Sequence, residues 1–346
     1  MSDQKQHILE ATPEALTAWL QAQGEPSYRL AQILEWVYQK RVESFAAMTN
    51  LSLQLRQRLE ESFETRGLRE VDRRRSDDGK TEKFLFELDD GERIESVWMD
   101  QEGHYTFCIS SQAGCALKCA FCATGAAGFS RNLAAHEILG QVVAIARATG
   151  GVGNIVFMGM GEPLLNLDAV VPAIKSLTDT RRFALGARRV AVSTAGVTPG
   201  IIALARGGLR PNLALSLNSP FDEQRKELMP VARRHPLPEV LTACEDYCKR
   251  TGRRLLIEYV LLGGVNTSEE SARGVARIAR EHEALVNLIT FNTVDGCGFR
   301  PPTKEEVSRF RAELVKGGVN ASERFRRGRD IAAGCGQLRG RRQGEK

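Results

Sequence analysis

Apolar and polar positions follow a regular order along most of the chain. From residue 105 onward, short apolar runs typical of buried strands alternate with longer segments that have an amphipathic helical period. The strand-like runs are residues 105–110, 154–158, 189–193, 212–217, 255–261 and 286–291. The helical segments are residues 134–149, 167–179, 199–206, 237–251, 269–283 and 303–317. Six such units predict an α/β fold with a parallel sheet, an open (β/α)6 partial barrel, since a closed TIM barrel has eight.

The first 70 residues have a different pattern. Thr12 followed by Pro13 is a typical helix start, because Thr caps the helix and Pro suits its first position. Apolar residues at helical spacing then predict about three helices. They are Leu16, Trp19 and Leu20, then Ile33, Leu34, Val37 and Tyr38, and finally Leu55, Leu59 and Phe63. We expect a small helical accessory domain, whose role is either simple packing or RNA binding.

A charged segment and a hairpin join these two regions. Residues 71–82 are charged and poor in apolar residues, which predicts a linker or an exposed loop. Two β-rich runs then flank Asp89-Asp90-Gly91, which is a hairpin signal. Glu95 lies in the second run, where a glutamate usually faces solvent. The predicted organisation is a helical domain in residues 1–70, a linker and hairpin in 71–103, and an α/β core in 104–346.

Polar groups and glycines follow the predicted core strands at their carboxyl ends. They are Gly161-Glu162-Pro163, Ser193-Thr194-Ala195-Gly196, Ser216-Leu217-Asn218 and Asn292, together with a cysteine-rich loop after the first strand. Ligands of open parallel sheets bind at this edge, so the pattern predicts one site there. Glu162 stands beside glycines that allow a ligand to approach closely. For a single Ser or Asn, a turn or cap role is the ordinary alternative.

The cysteine-rich loop has the spacing of a metal site. Cys115, Cys119 and Cys122 form a C-x3-C-x2-C pattern, and Cys108 precedes it by seven residues. Thiols this close in a chain without an export signal usually bind metal. Short steps are typical of iron–sulfur clusters, whereas structural zinc requires a matching second pair, which the sequence lacks. We expect a four-iron cluster held by three cysteines, with one iron open to a ligand.

Composition and charge narrow the class of protein. Apolar residues make up 42% and charged residues 26% of the chain, as in ordinary soluble proteins. The first residues have no signal-peptide pattern, and no apolar run approaches a membrane span, so we expect a cytoplasmic protein without membrane contact. The net charge is only +5, but arginines recur in pairs and in the tail. They are Arg73-Arg74-Arg75, Arg181-Arg182, Arg188-Arg189, Arg233-Arg234, Arg253-Arg254, Arg326-Arg327, Arg339, Arg341 and Arg342. Their number makes nucleic acid a candidate partner, although any one pair is ordinarily solvated surface.

One cysteine near the C-terminus differs from the others. Cys335 stands between Gly334 and Gly336, which give it little packing but allow it to reach into a pocket. Nearby basic residues would stabilise its thiolate as a nucleophile. The ordinary alternative is a small buried residue.

The motifs together resemble a known family. C-x3-C-x-aromatic-C, with Phe121 in the aromatic position, is the signature of radical S-adenosylmethionine (SAM) enzymes. Cys108, MGMGEPL around Glu162, VSTAG around Ser193 and CGQL at Cys335 are similar to the dual-specificity RNA methyltransferases of the RlmN/Cfr type. The resemblance covers essentially the whole chain. The sequence departs from it at Asn218, Thr293 and Gly334, where the family commonly has His, Pro and Ala.

The resemblance implies a radical SAM core and a set of cofactors. It implies a 4Fe-4S cluster held by Cys115, Cys119 and Cys122, and two SAM molecules per turnover. The residues that it places around SAM are Gly161, Glu162, Ser193, Ser216, Leu217, Asn218 and Asn292. It further implies 23S rRNA and tRNA as partners, a low-potential electron donor such as flavodoxin, and a monomer.

The resemblance also implies a reaction. Cys335 takes a methyl group from one SAM, and a second SAM yields a 5′-deoxyadenosyl radical that activates this methyl group for addition to an adenine carbon. Cys108 then resolves the adduct by forming a disulfide with Cys335, and Glu95 matches the proton acceptor. The expected product is 2-methyladenine. Methylation at C8 is the alternative within the family, and a zinc-stabilised RNA-binding or ribosome-assembly protein is the alternative of a different class.

Overall fold

The structure is a computed structural model that describes residues 5–294, 296–323, 328, 330–338 and 340. Its helices are α1 Pro13–Ala22, α2 Arg29–Leu34, α3 Leu53–Ser62, α4 Ala123–Ala127, α5 Ala135–Thr149, α6 Leu167–Thr178, α7 Thr198–Arg206, α8 Asp222–Leu228, α9 Leu237–Thr251, α10 Glu269–Glu281 and α11 Lys304–Lys316. Its strands are β1 Gln6–His7, β2 Phe63–Glu64, β3 Arg69–Arg75, β4 Thr81–Glu87, β5 Arg93–Gln101, β6 His104–Cys108, β7 Gln112–Gly114, β8 Phe129–Asn132, β9 Asn154–Phe157, β10 Val190–Thr194, β11 Asn212–Ser216, β12 Leu256–Leu261, β13 Leu285–Thr290 and β14 Ala321–Glu323. The tail arginines Arg326, Arg327, Arg339, Arg341 and Arg342 lie outside the described residues.

A single large sheet organises the core. Its strand order is β14-β13-β12-β11-β10-β9-β6-β5-β4-β3, and the strands from β14 to β6 are parallel. The predicted α/β core is confirmed, and the six predicted strands and six predicted helices end within two residues of their expected positions. The short strand β14 is an addition that the sequence did not predict, because its three residues carry no apolar alternation.

The sheet continues beyond β6 as an antiparallel extension. Strands β4 and β5 form the predicted hairpin, and β5 also pairs with β6, so the hairpin belongs to the main sheet. The expectation of a linker or loop at residues 71–82 was wrong in part, because β3 pairs with β4 as the edge strand. Its side chains are half-buried or exposed, and Arg73 stacks over Phe84 at 4.7 Å. Charged side chains are typical of exposed edge strands, and they hide the strand period in the sequence.

The N-terminal helices form as the sequence predicts. Thr12 accepts a hydrogen bond from the backbone N–H of Ala15 at 3.1 Å, and Pro13 occupies the first turn of α1. Helix α2 continues into a π-helical turn over Glu35–Lys40. The domain contacts the core through His136, which donates its backbone N–H to the Glu10 carboxylate at 3.1 Å. In the described part of the chain, no helix has both the length and the hydropathy needed to cross a membrane.

Candidate functional site

One open cavity lies at the carboxyl ends of the parallel strands, where the sequence predicts a site. Most of the predicted site residues line it. They are Cys108, Cys115, Cys119, Cys122, Gly161, Glu162, Ser193, Ser216, Asn218, Asn292 and Cys335. Glu95 and Leu217 are absent from the cavity lining that the described residues form. Residues that are more than 200 positions apart in the sequence, such as Cys108 and Cys335, therefore line the same cavity.

The cysteine loop is held by a small hairpin of its own. Strands β7 and β8 pair antiparallel, and the Cys115 N–H donates to the Gly128 carbonyl at 2.7 Å. Gly114 has φ +80°, and a Cβ there would lie 2.1 Å from the Gly128 carbonyl oxygen, so only glycine fits. Helix α4 begins directly after Cys122. The loop therefore enters and leaves the cavity along fixed backbone.

The three loop thiols fit an iron–sulfur cluster. Burial raises the pKa of Cys115 to about 12 and the pKa of Cys119 well above its ordinary value, so both are protonated thiols without a metal. Metal ligation would displace these protons. Among the described residues, no three His, Cys, Asp or Glu side chains converge as a single-ion site requires. Thiolates are the usual ligands of iron–sulfur clusters, so the chemistry of these three side chains suits such a cofactor.

Glu162 places a buried carboxylate at the end of β9. It is 3% exposed, and its Oε2 accepts the Ala195 N–H at 2.9 Å while its Oε1 accepts the Leu164 N–H at 3.2 Å. Burial raises the pKa of Glu162 to about 7, although these hydrogen bonds oppose the shift. Gly161 has φ +99°, and a Cβ there would lie 2.5 Å from Cβ of Gln112. The glycine thus allows the chain to pass close enough to seat the carboxylate.

Three further polar residues lie at neighbouring strand ends. The hydroxyl oxygens of Ser193 and Ser216, on β10 and β11, are 3.5 Å apart. Asn292 follows β13 and is 6% exposed. Within the described chain, no donor reaches its buried Oδ1 atom. Leaving a buried acceptor unpaired costs about 1–3 kcal/mol, so this oxygen fits a donor supplied by a ligand.

Asn218 and Leu217 have their polar groups engaged by the protein. Asn218 has φ +53°, and its Oδ1 accepts the Val260 N–H at 2.9 Å while its Nδ2 lies 3.2 Å from the Met229 sulfur. The Leu217 side chain is fully buried. The contact of these two residues with SAM stays a prediction, and their observed contacts join the ends of β11 and β12.

Arg225 is a site residue that sequence reasoning missed. It is fully buried, and its guanidinium donates to the Leu217 carbonyl at 3.1 Å and to the Ala195 carbonyl at 2.5 Å. Burial lowers the pKa of Arg225 to about 10, so it stays charged at neutral pH. It ties together the loops that follow β10 and β11. Its sequence surroundings, DEQRKEL, read as an exposed helix and offered no signal.

The segment with Cys335 forms another part of the cavity lining. The Gly336 carbonyl accepts the Ala123 N–H at 2.7 Å, and Thr124 donates its hydroxyl to the Leu338 carbonyl. Cys335 is exposed and Cys108 is buried, and both line the cavity. The segment is thus attached directly to the residues that follow Cys122.

Glu95 is buried, contrary to the ordinary expectation for a strand glutamate. It is 7% exposed and accepts a contact from the Lys83 ammonium at 2.9 Å. Lys83 also donates to the Ala332 carbonyl at 3.2 Å. Glu95 lies beside the cavity, because Val97, two residues along β5 and on the same face, belongs to its lining. The hairpin therefore contributes a charged pair next to the Cys335 segment.

Comparisons with known proteins agree with this geometry. Residues 6–65 match the family model of the ribosomal RNA large subunit methyltransferase N-terminal domain, and residues 109–273 match that of the radical SAM superfamily. A probable dual-specificity RNA methyltransferase RlmN from Gemmatimonas aurantiaca is 46% identical, with 98% of this chain and 94% of that protein covered. The dual-specificity RNA methyltransferase RlmN from Pelobacter propionicus is 43% identical, with 98% and 97% covered.

A solved structure supports the same assignment. A radical SAM methyltransferase from Sphaerobacter thermophilus superposes with a TM-score of 0.91 at 42% identity, covering 96% of this chain and 99% of that one. Radical SAM enzymes use a 4Fe-4S cluster and SAM, and the loop thiols fit this cofactor pair. The chain belongs to the RlmN family of radical SAM, SAM-dependent RNA methyltransferases.

Proposed function

We propose that this enzyme methylates C2 of adenine 2503 in 23S rRNA and C2 of adenine 37 in tRNA. One observation carries the proposal: Cys335, Cys108 and the three loop cysteines line the same cavity as Glu162. A carrier thiol, a resolving thiol and a radical-generating site must all reach one substrate carbon. An adenine C2 carbon is not nucleophilic, so ordinary displacement on SAM does not methylate it.

The cofactors would be held by the strand-end residues. Cys115, Cys119 and Cys122 would ligate the cluster and leave one iron open. Glu162 would accept the amino group of SAM in a charge-assisted hydrogen bond. Asn292 Oδ1, which no donor of the described chain reaches, would accept a hydrogen bond from SAM, with Ser193 and Ser216 beside it. When bound, the cluster and two SAM molecules per turnover supply the methyl group and the carbon radical that this substrate requires.

The chain's own thiols would carry the methyl group and release the product. The Cys335 thiolate would take the methyl group, and the carbon of that group would bond to the adenine carbon after losing one hydrogen atom to the 5′-deoxyadenosyl radical. The adduct would then give up one electron to the oxidised cluster, together with the proton of the adenine carbon. Cys108 Sγ then attacks Cys335 Sγ, which forms the disulfide and breaks the sulfur–methylene bond. The electron pair of that bond stays on carbon, which is protonated to a methyl group. Glu95 accepts the proton that leaves the adenine carbon.

The remaining predictions concern partners and regiochemistry. We propose a low-potential electron donor such as flavodoxin, and a monomeric enzyme. Methylation at C8 is the alternative outcome within this chemistry. The structure offers no residue-level argument that favours C8, so C2 is the reading that we test.

Mass spectrometry of nucleosides tests the proposal. The protein, purified without oxygen and loaded with iron and sulfide, is given SAM, a reductant and either a 23S rRNA fragment or tRNA. The expected product is 2-methyladenosine from both RNAs. Finding 8-methyladenosine would move the reaction to C8, and finding methylation of one RNA alone would remove the dual specificity.

Two cysteine variants test the assigned roles. Cys335→Ala is expected to keep the iron and sulfide content but to transfer no methyl group, and normal RNA methylation by this variant would refute the carrier role. Cys108→Ala is expected to trap a covalent protein–RNA adduct that migrates slowly in a denaturing gel. Recovery of free RNA alone would count against Cys108 as the resolving thiol.

A further inference from the structure

We propose that Lys83 is a positioning residue that fixes the Glu95 carboxylate and the Cys335 segment relative to each other. This inference rests on the proposed function, because it assigns Lys83 to the step in which Glu95 accepts a proton. Lys83 lies on β4, in a hairpin far from the cysteine loop in sequence. Its ammonium contacts a group on each of the two elements that meet there.

The contacts of Lys83 are specific. Its Nζ atom is 2.9 Å from Glu95 Oε1 and donates to the Ala332 carbonyl at 3.2 Å. The side chains of Lys83 and Glu95 are only 11% and 9% exposed. Ala332 lies three residues before Cys335 in the chain. One ammonium therefore bridges the proton acceptor and the segment with the carrier thiol.

The register of the sheet places Lys83 on the face of the cavity. Lys83 is paired with Val97, and Val97 is paired with Cys108. Directly paired residues of neighbouring strands point to the same face of a sheet. Val97 and Cys108 both line the cavity, so the Lys83 side chain starts from the same face. At about 4.8 Å per strand, Lys83 stands two strands, or about 10 Å, from the resolving thiol.

Burial distinguishes the Lys83–Glu95 pair from a surface ion pair. An exposed pair contributes little, since water competes for both charges. Here water is largely excluded, so an ammonium held against the carboxylate fixes the orientation of the carboxylate. The other charged groups of the hairpin around it, Arg93 and Glu87, pair with each other at 2.8 Å. Glu95 Oε2 is also reached by the Gly340 N–H at 3.4 Å.

The role predicts a defect confined to one half of the reaction. Methyl loading of Cys335 requires no proton transfer to Glu95, whereas completion on RNA does. Lys83→Met preserves the length of the side chain but removes its charge and both donated hydrogen bonds. We expect it to load methyl on Cys335 as the unmodified enzyme does. We also expect it to release methylated RNA about tenfold more slowly or worse, with the covalent adduct accumulating.

The experiment compares five variants with the unmodified enzyme in single-turnover assays with the 23S rRNA fragment. Intact-protein mass spectrometry measures the methyl group on Cys335, and a denaturing gel measures adduct and released RNA. Lys80→Met is the matched control, because Lys80 is exposed and precedes β4. Lys83→Arg is expected to restore part of the rate, since a guanidinium donates to both acceptors. Glu95→Gln and the double variant with Lys83→Met complete a double-mutant cycle.

The outcomes separate this inference from the proposed function. If Lys83 acts through Glu95, the double variant is no slower than Glu95→Gln alone. Fully additive losses, an unchanged release rate, or a loss of methyl loading equal to the loss of release would each overturn the positioning role. In all three cases the unmodified enzyme and Lys80→Met still methylate RNA. Failure of those two proteins to methylate would instead refute the proposed function.

Discussion

The two walls of the cavity are built in different ways. The first wall is formed by the carboxyl ends of the parallel strands and carries Glu162, Ser193, Ser216 and Asn292. The second wall is formed by the antiparallel extension and the Cys335 segment. The first wall holds its groups through consecutive strand-to-helix turns. The second joins segments that are far apart in the sequence; Lys83 and Ala332, which are in contact, are separated by 249 residues.

This difference separates two tasks. In the parallel part of a sheet, the fold itself brings every strand end to one edge, so a site for a common ligand forms there. The second wall needs contacts that no strand order supplies, and its groups are those assigned to the transfer step. We infer that the first wall serves the radical SAM chemistry that the superfamily shares. The second wall serves the step that is particular to this family.

The largest effect is expected from a change that removes the cluster from the first wall. Cys115→Ala removes one of the three proposed cluster ligands, so we expect loss of iron and sulfide and loss of all methyl transfer. Iron and sulfide analysis with the nucleoside assay measures both losses. Cys248→Ala is the control, since Cys248 lies on α9 outside the cavity lining. Full activity of Cys115→Ala would show that the loop does not hold the cluster.

A change at Arg225 tests how the first wall is held together. Arg225→Met removes the guanidinium donors to the Leu217 and Ala195 carbonyls and the buried charge that joins the two loops, while the Leu217 carbonyl keeps the Ser219 N–H at 2.7 Å. We expect the free energy of unfolding to fall by about 3 kcal/mol, measured by urea denaturation.

An exposed arginine provides the comparison for this stability effect. Arg250 on α9 pairs with Asp246 one helical turn away, and its side chain is 53% exposed. Arg250→Met is expected to change the free energy of unfolding by no more than about 0.5 kcal/mol. Equal effects of the two substitutions would mean that the buried guanidinium does not bind the strand ends together.

The first wall could be predicted from the sequence, and physical rules explain why. Strand and helix periods were strong enough to place each core element, and parallel pairing then fixes which strand ends meet. Glu162 and the loop cysteines followed directly from that placement. The exact partners of Asn218 did not, because hydrogen bonds to Val260 and Met229 depend on how β12 and a later turn pack against it.

The second wall was less predictable for equally physical reasons. The arginines of β3 lack apolar alternation, so an edge strand resembled a loop. Glu95 was expected to face solvent, since nothing local shows that Lys83 and the Cys335 segment cover it. Lys83 contacts a backbone carbonyl far away in the sequence, and no local sequence pattern marks such a contact. For the same reason Arg225 was missed in the first wall. Resemblance to the family assigned Cys108, Cys335 and Glu95 their roles, where spacing alone did not.

A smaller effect is expected when the charge of the first wall is removed. In the unmodified enzyme, each carboxylate oxygen of Glu162 accepts one backbone N–H. Glu162→Gln keeps one of these acceptor oxygens, but it replaces the other with an NH2 group, which is a donor and faces the N–H that the oxygen accepted. The charge that would bind the amino group of SAM is also lost. We expect SAM affinity to fall by about 2 kcal/mol, or about 30-fold, by isothermal titration calorimetry.

The calorimetry needs a control for the loss of one negative charge. Glu227→Gln provides it, because Glu227 is exposed on α8. This variant is expected to bind SAM as the unmodified enzyme does. If Glu162→Gln binds SAM equally well, the buried carboxylate does not contact the ligand, and the first wall must hold SAM through its other groups.

The smallest effect is expected where the two walls meet. Gly334 belongs to the Cys335 segment, and a Cβ there would lie 2.2 Å from Asn292 Nδ2 in the first wall. The family commonly has Ala at this position, and Gly334 does not have positive φ, so the backbone accepts Ala. The ends of the Asn292 and Gln337 side chains need to move, since the Cβ would also lie 2.9 Å from Gln337 Oε1. We expect Gly334→Ala to change the methylation rate by less than about fivefold, or about 1 kcal/mol.

Coupling between the two walls decides how this small effect is interpreted. In Asn292→Ala the closest contact at Gly334 disappears and only the end of the Gln337 side chain remains to adjust, so adding Gly334→Ala to that variant is expected to have a smaller effect on the methylation rate than in the unmodified enzyme. Single-turnover rates of the two single variants and the double variant give the coupling free energy directly. A zero coupling would mean that the segment and the strand end do not press on each other. Complete loss of methylation in Gly334→Ala would mean that the Cys335 segment tolerates no adjustment against Asn292, and that the two walls work as one rigid unit.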